Sequence, residues 1–79
     1  MRIKVKLFAT LARYSTGSLP GTPFDLDLPE SADLQSLVDR LGIPVAEAKV
    51  TFVNGLIKEL DWVLQPGDEV GIFPPIGGG

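Results

Sequence analysis

The sequence predicts an α+β fold in which a mixed β-sheet is covered on one face by a single main helix. Two observations predict it. Apolar and polar residues alternate in several short segments, as they do in half-buried strands, and apolar residues recur at helical spacing in one longer segment. With 79 residues, the chain is long enough for one small core. We therefore expect one domain over residues 1–73 and an extended tail over residues 74–79.

The first part of the chain is predicted to contain two strands joined through a short helix. The alternating apolar residues are Ile3, Val5 and Leu7 in the first strand and Phe24, Leu26 and Leu28 in the second. Residues 9–14 are predicted to form the short helix, because turn-forming residues over 15–21 follow it.

The main helix is predicted from apolar residues that share one helical face. These are Leu34, Leu37, Val38 and Leu41. Ser31 is the expected N-cap, since serine oxygens accept hydrogen bonds from free helical N–H groups. Gly42 stands where a helix-terminating glycine is common, and Pro44 follows it.

The second part of the chain is predicted to contain three strands. Residues 50–53 form the first, and Asn54-Gly55, a strong hairpin signal, turns the chain into a short strand over residues 56–58. Residues 69–73 form the last strand.

This order favours the β-grasp, or ubiquitin-like, fold, with the first and last strands side by side at the centre of the sheet. A ferredoxin-like split βαβ arrangement is the alternative. It requires a second full-length helix, and residues 45–49 are too few to form one.

Composition excludes several kinds of chemistry. The chain has no cysteine and no histidine, so it lacks thiolate nucleophiles, disulfides and the commonest general base and metal ligand. A net charge of −3 argues against nucleic-acid binding. Charged and apolar residues alternate over residues 1–6, whereas a signal peptide has its charges before an unbroken apolar run. No apolar segment is as long as a membrane span, so we expect a soluble, cytoplasmic protein.

The tail is the most informative segment. Pro74 and Pro75 cannot donate to a sheet, so the last strand must stop at Phe73. The extended tail reaches roughly 20 Å, enough to carry the carboxylate of Gly79 outside the domain. Because glycine is costly to order, we expect the tail to be mobile in the free protein and ordered in a partner's active site. The alternative is a frayed terminus or a tag remnant.

Four sequence elements together resemble the small subunit of molybdopterin synthase, MoaD, from end to end. They are residues 6–11 (KLFATL), residues 53–55 (VNG), residues 67–70 (GDEV) and residues 73–79 (FPPIGGG). The thiamine-pathway carrier ThiS is similar but generally lacks the Phe-Pro-Pro. Gly77 departs from the MoaD pattern, in which serine or another small residue is common.

The resemblance implies a sulfur carrier that is not an enzyme on its own. An E1-like adenylyltransferase (MoeB-like) would use ATP and magnesium to adenylate Gly79. A sulfur donor protein would then convert it to a thiocarboxylate. The tail, with Pro74, Pro75, Gly77 and Gly78, would thread into the large subunit (MoaE-like), where the sulfur passes to the pyranopterin precursor of molybdenum cofactor. Catalytic groups are expected on the partners, and no cofactor or metal is expected on this chain.

Two other functions stay open at this point. One is a sulfur carrier for thiamine or another thiolated metabolite, and the other is a protein modifier conjugated to lysines.

Phe8, Phe73 and Ile76 are the expected partner-binding residues. Alternation places Phe8 and Phe73 on the sheet face opposite the helix, beside the exit of the tail. Clustered exposed aromatics are typical of a partner surface. The alternative is that both rings fold into local packing.

Other polar and aromatic residues have simpler interpretations. Asp25 and Asp27 are expected to form a solvated strand face. Arg2, Lys4 and Lys6 form a basic stripe that either steers an acidic partner or solvates the sheet. Trp62 is expected to pack against a loop or satellite core.

Overall fold

Five strands and one α-helix account for most of the regular structure of the residues described. In this computed structural model, residues 1–15 and 19–76 are described. The strands are β1 (Arg2–Leu7), β2 (Phe24–Asp27), β3 (Val50–Val53), β4 (Leu56–Ile57) and β5 (Glu69–Phe73), and helix α1 is Leu34–Leu41. Two short 3-10 helices, Ala9–Tyr14 and Val45–Glu47, lie in the connections.

The strands form one mixed sheet in the order β2-β1-β5-β3-β4. The first and last strands, β1 and β5, run parallel at its centre, and the other neighbours are antiparallel. This is the predicted β-grasp topology. The second full-length helix of the ferredoxin-like alternative is replaced by the three residues Val45–Glu47.

The core lies between α1 and one face of the sheet. Leu34, Leu37 and Val38 of the helix are fully buried, as predicted from their spacing. The buried strand residues that complete this side of the core are Ile3, Val5, Leu7, Val53, Val70 and Ile72. Phe24, Leu26 and Leu41 are only partly buried at its margin.

The main helix begins differently from the prediction. Asp33, not Ser31, is the N-cap: its Oδ1 accepts hydrogen bonds from the Ser36 N–H at 2.8 Å and from the Ser36 hydroxyl at 2.9 Å. Ser31 lies two residues earlier with φ of 69°, in the left-handed region. The predicted C-terminal glycine is confirmed, because Gly42 has φ of 77°.

The hydrogen bonds from Ser36 hold the pKa of Asp33 below the ordinary value for an aspartate. We expect Asp33→Ala to lower the free energy of unfolding by about 1 kcal/mol, whereas Ser31→Ala should leave it nearly unchanged. Because the pKa of Asp33 is lowered on folding, its contribution is present above about pH 4 and is lost as the pH falls through the lowered pKa. Denaturant titrations of both variants from pH 7 to pH 3 check this. Equal losses would contradict the assignment of the cap.

The first short helix is confirmed with its predicted bounds, Ala9–Tyr14, and is a 3-10 helix that starts at Ala9 with φ of 51°. The short strand β4 ends one residue earlier than predicted. Lys58 lies just outside β4, although its N–H still donates to the Thr51 carbonyl at 2.9 Å. In the part of the chain that is described, no helix has the length and apolar character needed to cross a membrane.

Candidate functional site

The tail leaves the sheet at the end of β5, as the two prolines predicted. The Phe73 carbonyl accepts the last hydrogen bond, from the Lys49 N–H at 3.0 Å. Pro74 is half-buried and Pro75 is exposed. Ile76 is 96% exposed, so it is not anchored to the domain. The predicted site residues Gly77, Gly78 and Gly79 lie outside the described residues.

Three rings meet on the sheet face opposite α1, beside the point where the tail leaves. Phe8 and Phe73 stack in parallel, with ring centroids 4.1 Å apart and planes 2° from parallel. Phe52 meets Phe73 edge-on at 5.5 Å. All three side chains are half-buried. We call Phe8, Phe52 and Phe73 the aromatic cluster.

The aromatic cluster lines an open groove of about 550 Å³. Lys6 and Glu69 add one charge of each sign to its lining, and Gly71 lies in its floor. Ile57 pairs with Phe52 across the β3–β4 ladder and is 68% exposed, so apolar surface continues to the edge of the sheet. The rings therefore pack on one another and also present surface to solvent, and their role as a partner-binding surface stays a prediction.

Two motifs behind the family resemblance contact each other directly. Asn54 donates through Nδ2 to Asp68 Oδ1 at 3.0 Å, and its Oδ1 accepts from the Glu69 N–H at 2.9 Å. The nearly buried Asp68 also accepts from the Gln65 N–H at 2.8 Å. These bonds fix the β3–β4 turn against the start of β5. The Asn-Gly and Gly-Asp-Glu-Val motifs thus support one end of the groove, a role that spacing alone does not reveal.

The predicted basic stripe is largely neutralised. Arg2 pairs with Asp27 at 3.0 Å and Lys4 with Asp25 at 3.1 Å, both across the β1–β2 ladder. The hydrogen bond from Arg2 also lowers the pKa of the exposed Asp27. Within residues 1–15 and 19–76, Lys6 is the member of the stripe without an ion pair. Solvated strand pairing therefore explains most of the stripe.

A polar contact that sequence reasoning missed links the two 3-10 helices. Arg13 Nη2 donates to Glu47 Oε1 at 2.9 Å and to the Tyr14 hydroxyl at 3.1 Å.

Trp62 is 40% exposed and packs under the Lys58 ammonium, which lies 4.0 Å from the ring centroid. No group of acidic side chains that could hold a metal ion is found over the described ranges.

Comparison with known proteins gives a family and a fold. A sequence model of the ThiS family matches residues 5–79. A search of curated protein sequences returned no match.

Several solved structures share the fold. Small archaeal modifier protein 1 of Haloferax volcanii matches with a TM-score of 0.71 and 24% identity over 100% of both chains. A molybdopterin converting factor subunit 1 from Pyrococcus furiosus matches with a TM-score of 0.69 and 25% identity over 95% of this chain and 98% of that one. One chain from a complex of subunits 1 and 2 of the molybdopterin-converting factor of Helicobacter pylori matches with a TM-score of 0.56 and 19% identity, over 100% of this chain and 100% of that one.

The family match spans almost the whole chain, and its fold is the ubiquitin-like β-grasp of these neighbours. The chain belongs to the ThiS family and is a ubiquitin-like sulfur carrier of the ThiS/MoaD type.

Proposed function

We propose that the chain is the sulfur-carrying small subunit of a molybdopterin synthase. Its Gly79 carboxylate is adenylated by an E1-like enzyme, converted to a thiocarboxylate by a sulfur donor protein, and inserted into a MoaE-like large subunit. There the sulfur passes to the pyranopterin precursor of molybdenum cofactor.

The observation that carries the proposal is the position of the aromatic cluster next to the start of the tail. Phe73 belongs to the cluster and is also the last residue before Pro74. A partner that covers the groove is therefore positioned to receive the tail. Because Ile76 is 96% exposed, its side chain does not have to leave the domain surface before the tail enters a channel.

Two of the solved structures support a molybdopterin pathway for this fold. The Pyrococcus furiosus match is described as a molybdopterin converting factor subunit and covers nearly all of both chains. The Helicobacter pylori match is a complex of subunits 1 and 2, which supports a large-subunit partner for this fold. The Phe-Pro-Pro at residues 73–75 is the sequence feature that favours MoaD over ThiS.

The chemistry follows from the tail itself. At neutral pH a terminal carboxylate is anionic and a poor electrophile. In adenylation the carboxylate oxygen attacks the α-phosphorus of ATP and pyrophosphate leaves, which gives an acyl-adenylate. A sulfur nucleophile then attacks the carbonyl carbon and displaces AMP. Glycine suits the reacting end, because a Cβ would hinder close approach in a narrow channel. The ATP and magnesium belong to the activating enzyme, not to this chain.

Reconstitution tests the proposal. The purified chain, a MoeB-like enzyme, ATP, magnesium and a sulfur source are combined with a MoaE-like subunit and the pyranopterin precursor. We expect sulfur in the pterin product, and none when the large subunit is omitted. Sulfur transfer to a thiazole precursor instead would indicate the thiamine pathway, which the ThiS family match keeps as the second candidate. Attachment to lysines would indicate a protein modifier, which the likeness to small archaeal modifier protein 1 also keeps open.

Truncation of the aromatic cluster should weaken docking to the large subunit. We expect Phe8→Ala and Phe73→Ala each to cost more than about 1 kcal/mol of binding free energy, while the monomer stays folded because both rings are only half-buried. Titration calorimetry with the MoaE-like subunit measures this. Trp62→Ala is the matched control, since it removes an exposed ring outside the cluster. If the cluster variants unfold and the folded fraction binds normally, the rings serve packing and not docking.

A further inference from the structure

Gly71 lies at the centre of β5 without a backbone reason to be glycine. Its φ is not in the left-handed region, where the four other glycines that the structure describes lie. Glycine also weakens a strand interior, because it adds backbone entropy to the unfolded chain and has no side chain to pack. An explanation for Gly71 must therefore come from the space above it.

That space is filled by the ring of Phe8. A Cβ placed on Gly71 would lie 3.3 Å from Cε2 of Phe8, which is tighter than ordinary van der Waals contact. On the other edge of the same ring, a Cβ on Gly21 would lie 3.5 Å from Cε1. One ring face stacks on Phe73. The Phe8 ring is thus held between two glycines along its edges and an aromatic ring on its face.

The backbone brings the ring to this position. The Phe8 N–H donates to the Ile72 carbonyl at 3.1 Å, so Phe8 extends the β1–β5 ladder by one residue. Lys6 and Phe52 flank Gly71 on the two neighbouring strands. Of these three neighbouring positions across the sheet, Gly71 is the one without a side chain, and the Phe8 ring lies over it.

We infer that Gly71 is a positioning residue whose missing side chain seats the Phe8 ring in the docking surface. We call this placement of the Phe8 ring over Gly71 the seat. The use of that surface for a large subunit rests on the proposed function, whereas the seat rests only on the contacts described above. A larger residue at position 71 should displace the Phe8 ring and change the shape of the groove. It would not remove any side chain from the proposed docking surface.

Gly71→Val tests the seat in the isolated chain. We expect the nuclear Overhauser contacts between the Phe8 and Phe73 rings, present in the wild type, to be lost. The denaturation midpoint should change little, because the strand preference of valine offsets the packing lost between the two rings. Gly71→Ala should shift the ring by only a few tenths of an ångström. The ring-current shifts of the Phe8 protons should then change in the same direction as in Gly71→Val, but by less. That variant keeps the test decisive if the valine variant does not fold. Unchanged ring contacts and shifts would overturn the inference.

Binding to the purified MoaE-like subunit then tests what the seat is for. We expect Gly71→Val to weaken binding by about tenfold and Gly71→Ala by less than about threefold. In a Phe8→Ala background, Gly71→Val should cost less than about twofold more, because the ring it displaces is already gone. Asp25→Val is the control: it adds a valine to the outer face of β2, outside the groove, and the exposed ion pair with Lys4 that it removes should contribute little.

The two readouts separate the inference from the proposed function. Full additivity of Gly71→Val and Phe8→Ala would show that Gly71 does not act through the ring, and would overturn the inference. Rings that separate without any change in affinity would uphold the seat and overturn the proposed docking role of the aromatic cluster.

Discussion

Deletion of Gly79 should abolish sulfur transfer while leaving stability and docking unchanged. The chain has no cysteine that could carry sulfur as a persulfide, so in the proposed mechanism the sulfur is carried on the terminal carbonyl of Gly79. Deletion leaves a carboxylate on Gly78, roughly 3.5 Å short of the partner's catalytic groups. Since a misplacement of about 1 Å can cost two orders of magnitude in rate, the loss should be nearly complete.

An alanine added after Gly79 is the matched variant for this deletion. It lengthens the tail and puts a Cβ at the reacting residue, so it should be equally inactive. The reconstituted assay with the large subunit, the activating enzyme, ATP and a sulfur source measures the rate for both variants. Binding to the large subunit should survive, because the aromatic cluster is intact. Full activity of the deletion variant would contradict the proposal.

The largest effect on folding is expected for Leu37→Ala. Leu37 is fully buried in the middle of α1, among the residues that face the sheet. Truncation removes buried methyl groups and leaves a cavity, which should lower the free energy of unfolding by about 2–5 kcal/mol. In a domain of this size, such a loss corresponds to a fall in melting temperature of about 10 °C or more. Thermal and urea denaturation measure it.

Arg40→Ala is the control on the same helix, because Arg40 is exposed. Its free energy of unfolding should stay within about 0.5 kcal/mol of the wild-type value. A Leu37→Ala midpoint equal to that of the control would mean that the α1 face is not the core.

The fold was largely predictable because its signals are local. Alternation placed β1 and β5 within their observed bounds, and the Asn54-Gly55 turn located the β3–β4 hairpin. The start of α1 was not predictable in this way, since both Ser31 and Asp33 can cap a helix. Long-range contacts select Asp33: it bridges to Val63, and the next residue donates to the Trp62 carbonyl.

The candidate site was predictable only in part, because it depends on strand register. The alternation of side chains between the two faces of a strand was enough to place Phe8 and Phe73 on one face of the sheet. The addition of Phe52 requires the β3–β5 register, in which it lies opposite Gly71. The β1–β2 register likewise pairs Arg2 with Asp27, and so turns a predicted basic stripe into ion pairs. No composition or spacing signal carries this information.

The mass of the chain after activation tests the central claim most directly. The chain is incubated with the MoeB-like enzyme, ATP, magnesium and a sulfur source, and is then measured intact and after proteolysis. We expect a gain of about 16 Da, from replacement of one oxygen by sulfur, confined to the peptide that contains Gly79. An unchanged mass at this peptide, while sulfur still reaches the pterin product, would show that the tail is not the sulfur carrier.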